Sequence, residues 1–174
     1  MKDIEKLKKK LQNIKLIAMD VDGTLTDKGV YYSLDGLALK KFSVHDGMGI
    51  ALLHQSNIQT MIISSDASEI PLRRAEKLAI TYKLIDVRRK SIELKKILDK
   101  IDISFEEVAY IGDDINDIEA MGMCGFKACP SNAVEIVKNI VDFISDFSSG
   151  NGAVRQVCEI ILQAQNKPII LKYE

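Results

Sequence analysis

Cysteine is scarce in this chain, with three in 174 residues: Cys124, Cys129 and Cys158. Their number is odd and none stands in a C-x-x-C spacing, so neither a disulfide framework nor a thiolate zinc site is indicated. A reducing, cytoplasmic setting fits that usage. A surplus of charge of either sign is also missing, since 24 Lys and Arg stand against 25 Asp and Glu. With Lys and Glu interleaved, that balance offers no broad field for nucleic acid or for an anionic membrane. No apolar run approaches the roughly 20 residues that a membrane span needs. Residues 2–12 are Lys-rich and amphipathic but lack the apolar centre of a signal peptide, and they read as a solvated first helix. There is no repeat period and no low-complexity tract. What is present is a chain 47% hydrophobic, long enough for one buried core and short for two, so one domain over residues 1–174 is expected.

Four strand-like apolar runs, Ile14 to Met19, Gln59 to Ser64, Ile80 to Asp86 and Val108 to Gly112, alternate with segments of helical periodicity at Gly47 to Gln55, Ser68 to Leu78 and Lys90 to Lys100. Further short strands are expected at Gly125 to Cys129 and Asp142 to Ser145, with helices at Asn132 to Ile140 and Ala153 to Gln163. Such alternation predicts an α/β fold, a Rossmann-like parallel sheet with helices on both faces. One stretch, about residues 28–44, breaks the rhythm. Val30 to Ser33 and Leu39 to Val44 are rich in β-formers and flank Leu34-Asp35-Gly36, a tight-turn signal, so a hairpin projects here or an ordinary strand extends the sheet. The tail, residues 166–174, carries Ile169-Ile170-Leu171, an apolar run that packs either on its own domain or on a neighbouring subunit.

Ligands of open α/β sheets collect beyond the carboxyl ends of the strands. Two of those ends are acidic: Asp20-Val21-Asp22 follows the first strand, and Asp113-Asp114-Ile115-Asn116-Asp117 follows Val108 to Gly112. An Asp at one strand end is often only a helix cap. If the two strands are neighbours, Asp20, Asp113 and the backbone near Asp22 can give oxygens to one Mg²⁺, a cation that prefers octahedral oxygen coordination. Magnesium held by carboxylates in turn suggests a phosphate whose charge must be neutralised. Ser64 ends the strand before it and offers a hydroxyl and backbone N–H groups, and Lys90 opens a helix and offers a point charge.

In order and spacing, Asp20-Val21-Asp22-Gly23-Thr24, Ile63-Ser64, Lys90 and Gly112-Asp113-Asp114-Ile115-Asn116-Asp117 resemble the four motifs of the haloacid dehalogenase-like phosphatases. The resemblance implies that Asp20 is the nucleophile, passing through an aspartyl-phosphate, and that Asp22 is the general acid and base. It places Thr24 and Ser64 on the phosphoryl oxygens, Lys90 on the phosphate and the nucleophile, and Asp20, Asp22 through its carbonyl, and Asp113 on the metal. Asp114 and Asp117 then stand behind, as partners of Lys90 or of the metal's waters. Leu25-Thr26-Asp27, Tyr31-Tyr32-Ser33, Gly36, Lys40-Lys41-Phe42, Asp46 to Ile50, Arg74 to Leu78 and Gly150 to Arg155 narrow the likeness. They are similar to the small phosphatases of 3-deoxy-D-manno-octulosonate 8-phosphate and of nonulosonate 9-phosphates. Those enzymes lack a separate cap domain and are typically homotetramers whose hairpins form a barrel and whose neighbouring subunits help close the site.

The chain departs from that pattern at several points. Ser64-Ser65-Asp66 stands where Ser-Gly-Arg or Thr-Gly-Arg is common, and Ser tolerates some backbone geometries of Gly poorly. Asp66 reverses a charge and favours hydroxyls, amides or a cation as its partner; with Lys77 it leans toward the nonulosonate branch. Asp86 and Arg89 replace the usual Gly and Asp before Lys90, and Gln156 replaces an acid, a mild change. Arg89 either compensates for the charge reversal at Asp66 or lies in solvent. Arg155 either meets the sugar acid's carboxylate or another subunit, or forms an ion pair within its own. His45 lines the pocket mouth or is a loop residue; His54 reads as capping or solvated. The expected activity is therefore Mg²⁺-dependent hydrolysis of a 2-keto-3-deoxy sugar acid phosphate, either the octulosonate or the nonulosonate. The alternative is a catalytically weak regulatory or scaffolding partner of a sugar cytidylyltransferase.

Overall fold

The computed structural model describes residues 2–171. Helix α1 (Lys2–Leu11) leads into strand β1 (Leu16–Met19), and a hairpin of β2 (Thr26–Ser33) and β3 (Gly36–Phe42) follows. The chain then alternates: α2 (Val44–Gln55), β4 (Gln59–Ile63), α3 (Glu69–Lys77), β5 (Tyr82–Leu84), α4 (Lys90–Ile101), β6 (Val108–Ile111), α5 (Ile118–Met123), β7 (Phe126–Cys129), α6 (Glu135–Lys138), β8 (Phe143–Ile144) and α7 (Ala153–Ala164). Six strands make one parallel sheet in the order β5-β4-β1-β6-β7-β8.

The strand pleat sends successive side chains to opposite faces, and both faces are covered. Ile17 and Met19 pack with Ile50 and Leu53 of α2 and with Val157 and Ile161 of α7. Leu16 and Ala18 point the other way, into a cluster with Leu94 and Leu98 of α4 and Met121 of α5. Each large apolar side chain buried this way contributes about 1.5–3 kcal/mol, which is why β1 is apolar at every position until Asp20. In the parallel register Met19 lies beside Ile62 on one side and Ile111 on the other. The strands therefore end level, and Asp20, Ser64 and Asp113 emerge together. This is also where the order of strands reverses direction, the usual crevice for a ligand in such sheets.

The shorter elements have local causes. Ala79 and Asp86 sit in the left-handed region (φ 53° and 58°), and the Ile80 N–H is spent on the Ala75 carbonyl. The expected strand Ile80 to Asp86 is thereby cut to Tyr82–Leu84. The expected helix Asn132 to Ile140 shrinks to one turn because Asn132 exchanges side-chain hydrogen bonds with Ser149 and the Val134 N–H goes to the Asp113 carbonyl. The hairpin makes a separate two-stranded sheet instead of extending the main one, with Leu34-Asp35 at its tip and Gly36 at φ 115°. It carries Val30, Tyr31, Tyr32, Leu34 and Leu39 exposed. In the tail, Ile169 and Leu171 pack against the α2–α7 side of the core, and the Lys167 ammonium donates to the Ser56 carbonyl; residues 172–174 lie outside the described residues.

Candidate active site

Beyond β1 the backbone opens into a wide turn over Val21–Leu25, with Gly23 at φ 101°. That conformation favours glycine, and a side chain there would overlap the Asp113 carboxylate. The turn can therefore press the loop after β1 against the loop after β6. Gly112 has a similar function, because a Cβ at that position would run into Asp117. Two close approaches, each made possible by a missing side chain, bring acids from both strand ends into one cluster.

Asp20, Asp113, Asp117 and Lys90 are buried at its centre. The Lys90 ammonium donates to Asp20 Oδ1 at 2.5 Å and to Asp117 Oδ1 at 2.8 Å. Asp117 Oδ1 also accepts from the Tyr110 hydroxyl at 2.8 Å, and Asp117 Oδ2 accepts from the Asp113 N–H at 3.1 Å. Both oxygens of Asp117 are thus committed, and its work is to hold Lys90 and the Asp113 loop. Asp20 Oδ2 and Asp113 Oδ1 are different: both are buried, and neither has a hydrogen-bond partner. Orphaned buried carboxylate oxygens are costly, and a cation is the partner such a pair fits. One carboxylate oxygen from each of Asp20, Asp113 and Asp117 lies within 4.8 Å of the other two. A hard, all-oxygen set of this kind could hold a divalent cation such as Mg²⁺, for which Asp20 and Asp113 have the free oxygens.

Burial and the neighbouring Asp117 push the Asp20 carboxyl well above the usual carboxylate range, and the Lys90 ammonium only partly offsets them. Asp113 is also raised, chiefly by burial, against the opposing pull of Lys28. Burial alone would lower Lys90, but Asp20 and Asp117 outweigh it and hold the ammonium charged.

Asp22 turns from this cluster. Its two oxygens accept from the Lys40 ammonium at 2.6 and 2.7 Å, and the same ammonium reaches Asp66 Oδ2 at 2.6 Å. Only the Asp22 backbone carbonyl is left for a metal role. Asp66 meets the cation that its reversed charge called for, and its Oδ1 accepts from the Ser68 N–H. Burial would raise the Asp66 carboxyl, but Lys40 and Ser68 hold it below its usual value. Lys40 is the residue missed by sequence reasoning. Its signal was period-two alternation: on β3 exposed Leu39 faces out, so Lys40 faces in with only 2% of its side chain exposed.

Ser64 is buried at the end of β4, its hydroxyl accepting from the Asp66 N–H at 3.1 Å and keeping its own proton to donate. Thr24 is buried with its hydroxyl unpartnered. Ser65 has no positive φ and donates to the Val87 carbonyl, so the missing Gly costs this loop nothing; Asp86 does adopt the left-handed backbone where Gly is usual. Other expected residues lie elsewhere. Asp114 is exposed and caps the following turn, accepting from the Ile115 N–H. Lys77 is exposed at the far end of α3, a nine-residue helix about 13 Å long. Arg155 pairs with Glu159 at 2.6 Å, the ion pair within its own subunit. Arg89 makes only an exposed contact with Glu119. Gln156 accepts from Ser145 and the Asp146 N–H. His45 is exposed, whereas His54, in the last turn of α2, is half-buried with Nε2 2.7 Å from the Thr60 hydroxyl; burial lowers its pKa.

Comparison with known proteins agrees with this geometry. Residues 79–157 match the model of a family described as haloacid dehalogenase-like hydrolase. The 3-deoxy-D-manno-octulosonate 8-phosphate phosphatase of Haemophilus influenzae is 37% identical over 161 residues, 92% of this chain and 89% of that one. A cobalt-bound structure of the Haemophilus enzyme superposes with a TM-score of 0.87 at 38% identity, covering 90% of this chain and 92% of the other. The Moraxella catarrhalis phosphatase, solved with magnesium, phosphate and KDO, superposes with a TM-score of 0.91 at 39% identity over 94% of each chain. With the motifs, the sheet order and the likeness over nearly the whole length in agreement, the chain belongs to the haloacid dehalogenase-like phosphatases, in the family of the 3-deoxy-D-manno-octulosonate 8-phosphate phosphatases, and is a phosphoric monoester hydrolase.

Proposed function

We propose that the protein hydrolyses 3-deoxy-D-manno-octulosonate 8-phosphate with Mg²⁺ as cofactor, through an aspartyl-phosphate on Asp20. The observation that carries this reading is the pair of buried, unpartnered oxygens, Asp20 Oδ2 and Asp113 Oδ1, beside an Asp20 Oδ1 already held by Lys90. When bound by Asp20, Asp113 and the Asp22 carbonyl, Mg²⁺ would neutralise phosphate charge and lower the repulsion between phosphate and nucleophile.

The chain's own residues do the rest. Lys90 fixes the Asp20 carboxylate so that one oxygen points at phosphorus, which converts a collision into a positioned attack. Ser64 and Thr24 hydroxyls and the N–H groups of their loops hold the phosphoryl oxygens. A carboxylate oxygen of Asp20 bonds phosphorus as the bond to the sugar oxygen breaks, and Asp22 gives that oxygen its proton. Asp22 then takes a proton from water, which attacks phosphorus and frees Asp20 and inorganic phosphate. Since Lys40 donates to both Asp22 oxygens, Asp22 handles a proton only when Lys40 shifts a hydrogen bond toward Asp66.

The relatives are octulosonate phosphatases. The two residues that leaned toward nonulosonates do not act together here: Asp66 is engaged by Lys40 and Ser68, and Lys77 stands on the surface. The exposed apolar hairpin supports assembly into a homotetramer in which a neighbour completes the mouth of the site. Among the described residues no helix is long and apolar enough to cross a membrane, and three buried free cysteines suit a reducing cytoplasm. The substrate is tested by kcat/KM for the octulosonate 8-phosphate against a nonulosonate 9-phosphate. We expect the octulosonate to be preferred at least about tenfold, a difference of about 1.4 kcal/mol in the transition state; a preference for the nonulosonate would reverse the assignment.

A further inference from the structure

One cation at this site has no place in the reaction described above. Lys28 lies on β2 at the root of the hairpin, with its backbone in the left-handed region at φ 72°. It is not a glycine, asparagine or aspartate, the residues that adopt this conformation most readily. The side chain leaves the hairpin, crosses to the loop after β6 and places its ammonium 2.9 Å from Asp113 Oδ2. The ammonium also donates to the Asn132 carbonyl at 2.8 Å.

That second acceptor is built in place. Asn132 donates from Nδ2 to the Ser149 hydroxyl and accepts the Ser149 N–H, and the neighbouring Val134 N–H is held by the Asp113 carbonyl. The two acceptors of Lys28 are thus tied to one another through the backbone, and the ammonium closes the hairpin root onto the metal-binding loop. Asp113 is buried, while the Lys28 side chain is about a third exposed and can swing out.

Asp113 therefore has two cationic claimants: a tethered monovalent one on Oδ2, and a divalent one suited to the unpartnered Oδ1 and Asp20 Oδ2. We propose that Lys28 is a built-in competitor of the metal for the charge of Asp113, so that Mg²⁺ bound at the free Oδ1 weakens the Lys28–Asp113 ion pair on Oδ2 and its hold on the hairpin root. This inference rests on the assignment of Asp113 as a metal ligand. Its consequence is a weaker and more readily exchanged metal than the carboxylates alone would hold. It also gives a link by which metal loading loosens the segment that leads to the hairpin.

The test is calorimetric titration of Mg²⁺ into the substrate-free protein, for wild type, Lys28→Met, Lys28→Gly, Lys28→Arg and Asp113→Asn. Lys28→Met removes the charge and Lys28→Gly also relieves the left-handed backbone, so both should bind Mg²⁺ about two- to fivefold more tightly, the range expected for one partly exposed ion pair. Lys28→Arg keeps the charge and should stay near wild type. Unchanged or weaker binding in both Lys28→Met and Lys28→Gly, with Asp113→Asn impaired, overturns the competition and leaves the metal site standing. Wild-type binding in Asp113→Asn overturns the metal site itself. A thermal melt of each variant without metal confirms that it is folded before it is titrated.

Discussion

Lys90 keeps two buried carboxylates, Asp20 and Asp117, in one place. Replacing it with Met leaves Asp20 and Asp117 buried without their shared cation. The cost of breaking a buried ion pair from one side is about 3–5 kcal/mol, so Lys90→Met should lower urea-unfolding stability by that order, and Mg²⁺ should recover part of it. A loss under about 1 kcal/mol would mean that the pair is not buried as described. Asp20 behaves in the opposite way. Its carboxyl is raised by burial and by Asp117, so the folded state binds its proton more tightly than the unfolded chain does. That contribution is fully present below the unfolded value of 3.8 and is lost as pH rises through the folded value. Metal-free wild type should therefore gain stability relative to Asp20→Asn as pH falls from neutral toward about pH 4, and Mg²⁺ should abolish the difference in slope. Thermal melts of both proteins across that range check it; parallel curves without metal would show that Asp20 carries no such strain. A carboxylate held at some cost to folding fits the nucleophilic role proposed for Asp20.

At the scale of elements, the strands were legible because two-sided burial leaves an unbroken apolar run, as in Leu16–Met19 and Val108–Ile111. The acids at their ends were legible for the same reason, since a charge can stand only where the run stops. What could not be read was which side chains cross between loops. Lys40 and Lys28 look like solvated hairpin lysines in the sequence, and they become ion-pair partners of Asp22, Asp66 and Asp113 only because the hairpin folds over the strand ends. The one-turn α6 was unreadable as well, because Asn132 is held by Ser149, 17 residues away. The hairpin itself makes a prediction. Tyr32 and Leu39 are exposed, at 73% and 64%, on a two-stranded sheet without a core of its own. Tyr32→Glu with Leu39→Lys should dissociate the homotetramer proposed above, read as a fall in mass by light scattering, with the far-ultraviolet spectrum and melting temperature of the subunit little changed. Unchanged mass would remove the hairpin from the interface.

For the molecule as a whole, the fold gives a rigid platform in which the parallel register sets Asp20, Ser64 and Asp113 level at the mouth of the sheet. On the proposed reading, selectivity falls to the features above it: the hairpin, Lys40 with Asp66, and a neighbouring subunit. That division explains why the reaction class was readable from six motif residues, Asp20, Asp22, Thr24, Ser64, Lys90 and Asp113, while the sugar was not, since a sugar is distinguished by a few contacts worth about 1–3 kcal/mol each. The central claim is that Asp20 attacks phosphorus in a site completed by Mg²⁺. Phosphate release from 3-deoxy-D-manno-octulosonate 8-phosphate, measured for wild type and Asp20→Asn with Mg²⁺ and with a chelator, tests it most directly. Turnover should appear only in metal-loaded wild type and fall by at least about 10³-fold in the other three samples. Turnover that persists in Asp20→Asn, or in the chelated wild type, would contradict the account.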